Sequence, residues 1–427
     1  MIKRGTVTVL ALLLASSMAA CGDAPRSQGP SGPLSGDLEA IESGSPSRLL
    51  SPAPAASLTP SPQPRATPSP RARLMKWSMK PHKVFSGGCL PPVATVDGSG
   101  RFHVAAICNG RIRYATSTDG RSWDTSTLAA SPEAYDFDLQ IAVDGTKVYV
   151  AYTHMGPFEA DTCGGDASPT GVITVHYRTR ALPDGRWSAP ARIGGVEQHL
   201  QSLRVVDGVI HETFDRGYGS PVSYASIVGS SIHEVEIPDA QQTSLRIGDD
   251  GRPRIAYTTG GVVRLATFGG GRLSTTTVFS ANDVEVGSPS LVLGRGDHAF
   301  VSWAAMEIDT SGGGCESPER PIPSHQGTWF ATDVDGKWTT KRLTKDVGSA
   351  TLAVDVATGR LHAIYRDSRG IRYVTRAADG SWSGSRLDVP RDFAATVLRR
   401  DPATGTLLLV GSRDDEANAG IYSFTAS

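Results

Sequence analysis

The 427-residue chain has no surplus of charge of either sign, with 42 lysines and arginines against 43 aspartates and glutamates. That balance provides no basic face for a nucleic-acid partner and no acidic tail. Long helical periodicity is absent. The apolar run Thr6–Ala15 falls well short of the ~20 residues a membrane-spanning helix needs. Only five cysteines occur, none grouped with histidine at zinc-ligand spacing, so no structural metal and no cofactor are expected. Glycine (47) and proline (28) are plentiful, a composition that favours strands and turns. The length suffices for a large buried core.

Lys3 and Arg4 precede the apolar run, and small residues follow it, ending Met18-Ala19-Ala20-Cys21. This is the layout of an export signal. The last four residues resemble a bacterial lipobox, with Met18 where leucine is usual. The resemblance implies that residues 1–21 form a lipoprotein signal, that the Cys21 thiol is acylated, and that the lipid bilayer is a partner through it. Several acyl chains exceed the two-signal threshold for stable anchoring. Gly22 does not resemble the aspartate-type inner-membrane retention signal. The chain is therefore expected on the cell envelope: on the outer membrane of a Gram-negative cell, otherwise on the outer face of the cell membrane. Residues 22–73 are rich in Ser, Pro, Ala and Gly, as in Pro60-Ser61-Pro62-Gln63-Pro64. Few apolar side chains are there to offset chain entropy, so this segment reads as a spacer.

From Leu74 onward a four-part unit recurs. It opens with an apolar strand ending in Asp or Gly, as in Val93 to Asp97-Gly98, Leu203-Arg204-Val205-Val206-Asp207-Gly208, Leu245 to Gly251 and Leu352 to Asp355. Asp-Gly between alternating strands marks a hairpin, because glycine supplies a positive φ. A second strand follows, such as Val148-Tyr149-Val150-Ala151-Tyr152. The third carries an aromatic-small-hydroxyl signature, as in Tyr114-Ala115-Thr116 and Tyr373-Val374-Thr375. A turn then leads to a tryptophan opening the fourth strand: Trp123, Trp187, Trp338 and Trp382. Four strands per unit, repeated radially, predict an all-β propeller over residues 74–427. The count favours seven blades over six. The seventh unit stops after its third strand, and the segment from Leu74 through Trp77 to Val84 is predicted to supply the fourth.

Ser117-Thr118-Asp119-Gly120-Arg121-Ser122-Trp123 resembles the Asp-box of sialidase-type (BNR) repeat proteins, one residue short of the usual form. The resemblance implies a structural turn for Asp119 and Trp123, away from any central site. Sialidases of this kind hold a substrate carboxylate with three arginines and use a Tyr-Glu pair and an Asp. No Arg-Ile-Pro motif stands at the start of the propeller, which weighs against a sialidase-like glycoside hydrolase.

Three second strands end in Arg beside Asp: Asp215-Arg216, Arg366-Asp367 and Arg413-Asp414-Asp415. Two readings are open: an anion clamp on one rim, or ion pairs tying neighbouring blades, the latter preferred. Two long insertions belong to the same face and resemble each other, carrying Glu159, Asp161 and Cys163 in one and Glu307, Asp309 and Cys315 in the other. Their carboxylates are weak candidates for catalytic acids or oxygen ligands, and solvated loop charges are the favoured reading. Four cysteines remain after Cys21, an even number for an exported chain. The expected pairs are Cys89–Cys108, on neighbouring antiparallel strands, and Cys163–Cys315. The sequence thus reads as a monomeric, membrane-anchored, non-catalytic propeller binding a glycan or protein. A glycoside hydrolase and a structural envelope scaffold are the alternatives.

Overall fold

The computed structural model describes residues 74–130, 135–156, 172–217, 220–307, 325–415 and 417–427. Cys21, the 22–73 segment, Glu159, Asp161, Cys163, Asp309 and Cys315 lie outside the described residues.

The described chain forms seven four-stranded antiparallel sheets. The inner strands are Val93–Val96, Tyr135–Asp144, His199–Val206, Gln242–Ile247, Val284–Leu293, Thr351–Asp355 and Phe393–Arg400, and they open blades one to seven in order. Each inner strand packs on those of both neighbours, including Val93–Val96 on Phe393–Arg400, so the sheets close into a ring. The closure is the predicted one. In blade seven, Phe393–Arg400, Leu407–Arg413 and Gly420–Ala426 are completed by His82–Ser86 from the N-terminal side. That strand lies slightly downstream of the predicted segment, and Trp77 adds a separate bridge to Ala426. No sheet of the ring is left one strand short, which protects edges that would otherwise pair with other chains.

The alternation seen in the sequence becomes two apolar faces per blade. Trp303 (0% exposed) packs with Phe279, Val284 and Leu291 between blades four and five. Phe393 and Phe424 pack with Tyr373 and Trp77 between blades six and seven. Side-chain hydroxyls set the level of neighbouring inner strands. Ser202 accepts from the Leu245 amide at 3.4 Å, Ser244 from Leu291 at 3.1 Å and Thr351 from Leu398 at 3.0 Å.

The turns follow local chemistry. Asp207 (φ 53°) and Gly208 (φ 78°) occupy the left-handed region that a two-residue hairpin requires. In the Ser117–Trp123 segment, Asp119 accepts from the amides of Arg121 (2.8 Å) and Ser122 (2.9 Å). Trp123 Nε1 donates to Ser423 Oγ across the blade boundary at 3.1 Å. These residues serve the turn and the blade contact.

The third-strand tyrosines have a partner that the sequence pattern did not announce. The hydroxyls of Tyr114, Tyr224 and Tyr373 lie 2.6, 2.7 and 2.8 Å from Nδ1 of the second-strand histidines His103, His211 and His362. His103 Nε2 also reaches Asp97 at 3.2 Å, an arrangement satisfied when Nε2 carries the proton and Nδ1 accepts. Burial lowers all three histidines, His362 to about 4, and holds them neutral. Cys89 and Cys108 form a disulfide with Cα atoms 4.0 Å apart, as predicted from their antiparallel placement.

Candidate functional site

In a four-stranded blade the connections alternate between the two ends of the ring. First-to-second turns lie at one end. Second-to-third loops and blade-to-blade connections lie at the other. The Arg-Asp pairs singled out in the sequence stand at the second end, and each is engaged locally. Arg216 binds Glu234 at 2.8 Å and lies over the Phe214 ring at 5.4 Å. Asp215 accepts from Gln201 at 2.9 Å and from the Gly217 amide at 3.0 Å. Arg366 donates to the carbonyls of Arg391 and Phe393, a tie from blade six to blade seven. Asp367 accepts from Arg372 Nε at 2.9 Å. Arg413 binds Asp392 at 2.8 Å and covers the Tyr422 ring, while Asp414 is exposed in the following loop. Glu307 is exposed at the end of its strand, opposite Val284. None of these residues lines the central cavity.

That cavity, about 330 Å³, occupies the end of the channel nearer the first-to-second turns and is lined by all seven inner strands. Blades three, four and seven each contribute an arginine to it: Arg204, Arg246 and Arg399. Each follows a leucine, Leu203, Leu245 or Leu398, the last two levelled by the interblade bonds, and each pairs with the matching position of its second strand, His211, Arg254 or Leu408. The three therefore stand at the same step of the repeat. At that step the other blades carry Thr95, Ala142, Val292 and Ala353, whose small side chains leave the space open.

Each guanidinium is oriented by backbone alone. Arg246 donates to the Leu245 carbonyl at 2.7 Å and Arg204 to that of Leu203. Arg399 donates to the carbonyls of Leu398 (2.8 Å) and Ala94 (2.7 Å), the latter in blade one. Among the described residues no carboxylate forms an ion pair with any of the three. The other charges of the lining are balanced nearby. Asp297 is bound by Arg254 at 3.0 Å, and Arg400 by Asp355 at 3.0 Å. Asp249 stands exposed at the mouth, its amide bonded to Asp297 at 2.7 Å. Burial, reinforced by the positive field of Arg399, pushes Arg204 down to about 9. Burial alone pushes Arg399 down to about 10. Both remain cationic at neutral pH, held in a place that resists their charge.

Sequence reasoning found arginines in the second-to-third loops and missed these. The signal was present as Leu-Arg at one step of three inner strands. It was hidden because arginine at the end of a strand reads as solvated. Among the described residues no group of three or more His, Cys, Asp or Glu is placed to hold a metal ion.

No family model and no curated protein sequence matches this chain. The likeness found is one of fold. A catalytically inactive virginiamycin B lyase from Staphylococcus aureus, solved with quinupristin, is 10% identical with a TM-score of 0.53, over 82% of this chain and 100% of that one. An ulvan lyase, a polysaccharide lyase, is 11% identical with a TM-score of 0.53, over 82% of this chain and 95% of that one. A Trypanosoma rangeli sialidase is 10% identical with a TM-score of 0.45, over 84% of this chain and 59% of the sialidase. The chain thus has a β-propeller fold, shared with the two lyases.

Proposed function

We propose that this chain is a lipid-anchored, extracytoplasmic β-propeller that binds a ligand in its central channel. A glycan is the first class to test and a protein segment the second. The observation that carries the reading is the channel cavity of about 330 Å³, to which every inner strand contributes. Its size lies at the lower end of small-molecule sites, enough for one sugar-sized group. The export signal and lipobox resemblance supply the anchoring half of the proposal, and the 22–73 segment the spacer. The fold likeness to a polysaccharide lyase makes saccharides reasonable first probes.

The test is a saccharide array probed with the full chain, followed by calorimetry on any hit. Saturable binding at one site, lost in the channel-filling variants Ala353→Phe and Ala142→Leu, is expected. Binding that survives both substitutions would remove the channel from the proposal. A fluorogenic glycoside panel run alongside distinguishes turnover from binding.

A further inference from the structure

We infer that the arginine-lined end of the channel is a site for an oxyanion: a carboxylate, sulfate or phosphate group, free or carried on a sugar. This deepens the binding proposal and rests on it. The argument begins with cost. Three guanidinium groups, Arg204, Arg246 and Arg399, face one cavity and are held there by backbone carbonyls alone. Like charges in a partly desolvated channel repel one another more strongly than they would in water. Structural arginines normally avoid this by pairing with carboxylates, as Arg400 of the same lining does with Asp355 and as Arg254 does with the lining residue Asp297. The three do not.

Their placement is also specific. They occupy one step of the repeat in three separate blades, and the four remaining blades fill that step with Thr95, Ala142, Val292 and Ala353. Cations at one level, with small neighbours between them, enclose a space rather than plug it. Each guanidinium has five N–H donors in a planar fork, of which only one or two are bonded to carbonyls. The remaining donors suit a group with several oxygens, which accepts paired N–H bonds and neutralises the repulsion. The cavity lies at the end of the channel opposite the loops that carry Arg216, Arg366 and Arg413. The two sets of arginines are therefore separate features.

The experiment titrates the full chain with sodium sulfate, sodium phosphate and sodium glucuronate at constant ionic strength, read by calorimetry and by thermal midpoint. Saturable binding of at least one anion at a single site, with a raised midpoint, is expected. Arg204→Met should weaken it at least tenfold and at the same time leave the anion-free protein as stable as wild type or more so, because a repulsion is removed. A merely structural arginine would give the opposite second result. Arg246→Gln should also weaken binding several-fold. Glucuronate binding more tightly than sulfate and phosphate would assign the anion to a sugar acid, and the reverse order to a free ion or ester. No saturable anion binding, or equal affinity in both variants, overturns the inference. If a neutral saccharide then binds and is blocked by Ala353→Phe but not by Arg204→Met, the channel proposal stands and the oxyanion fails. If neither kind of ligand enters, both fail.

Discussion

Replacing Glu212 by glutamine should make the protein more stable at neutral and alkaline pH. Glu212 lies on the second strand of blade three, opposite Leu203 and Ala225. It is fully buried between Ile210 and Phe214, and neither carboxyl oxygen has a hydrogen-bond partner. Burial, with a smaller contribution from Glu234, pushes its carboxyl up from 4.5 to about 8. The folded state thus prefers the protonated form. Its stability contribution is complete below pH 4.5 and is lost as pH rises towards 8, the reverse of a salt-bridged carboxylate. At about 1.4 kcal/mol per pH unit, the loss between pH 5 and pH 8 is on the order of 3 kcal/mol. Glutamine has the same shape and does not ionise. Unfolding entropy scales with length, so for a ring of this size the difference corresponds to roughly 4 °C in thermal midpoint. Calorimetric scans of wild type and Glu212→Gln at pH 5 and pH 8 measure it. The gap between the two proteins should widen by that amount at the higher pH. An equal gap at both values would refute the assignment of an unpaired buried carboxyl.

His362 should act in the opposite direction. Burial holds it neutral to about pH 4, so its contribution is complete above the ordinary value near 6.5 and is lost as pH falls towards 4. Chemical denaturation at pH 7 and pH 5 should show less of this acid loss in His362→Gln than in wild type. Tyr373→Phe removes the hydroxyl that His362 meets at 2.8 Å and should cost about 1–3 kcal/mol, read as a lower denaturation midpoint. Cys108→Ser opens a loop of 19 residues and should cost about 3 kcal/mol by loop entropy, with reductant lowering the wild-type midpoint more than that of the variant. Cys21→Ser should abolish incorporation of labelled palmitate and release the chain from membranes into the soluble fraction, both read by fractionation of expressing cells.

The blades were legible because each is specified locally. Alternating apolar residues between Asp-Gly turns have few other ways to bury one face per neighbour. Ring closure was legible too, since the repeat ended one strand early and a matching segment stood upstream. The His103–Tyr114, His211–Tyr224 and His362–Tyr373 pairs were not. A histidine and a tyrosine 11 to 13 residues apart acquire a relation only when the register of two antiparallel strands is known. The rim arginines were found as residues, and the structure then showed what each one contacts.

Composition and periodicity alone determined that the chain makes repeated four-stranded sheets, and they pointed to seven of them and to Cys89 facing Cys108. These depend on neighbours in the chain or on one hairpin. Closure of the ring decided the rest. Arg204, Arg246 and Arg399 belong to three different sheets, and only a common axis puts them on one cavity. Glu212 reads as a solvent-facing strand residue until blade two covers it. Burial and charge grouping are properties of the packed assembly, because the field at a side chain is set by what lies across the interface and not by what precedes it in the chain.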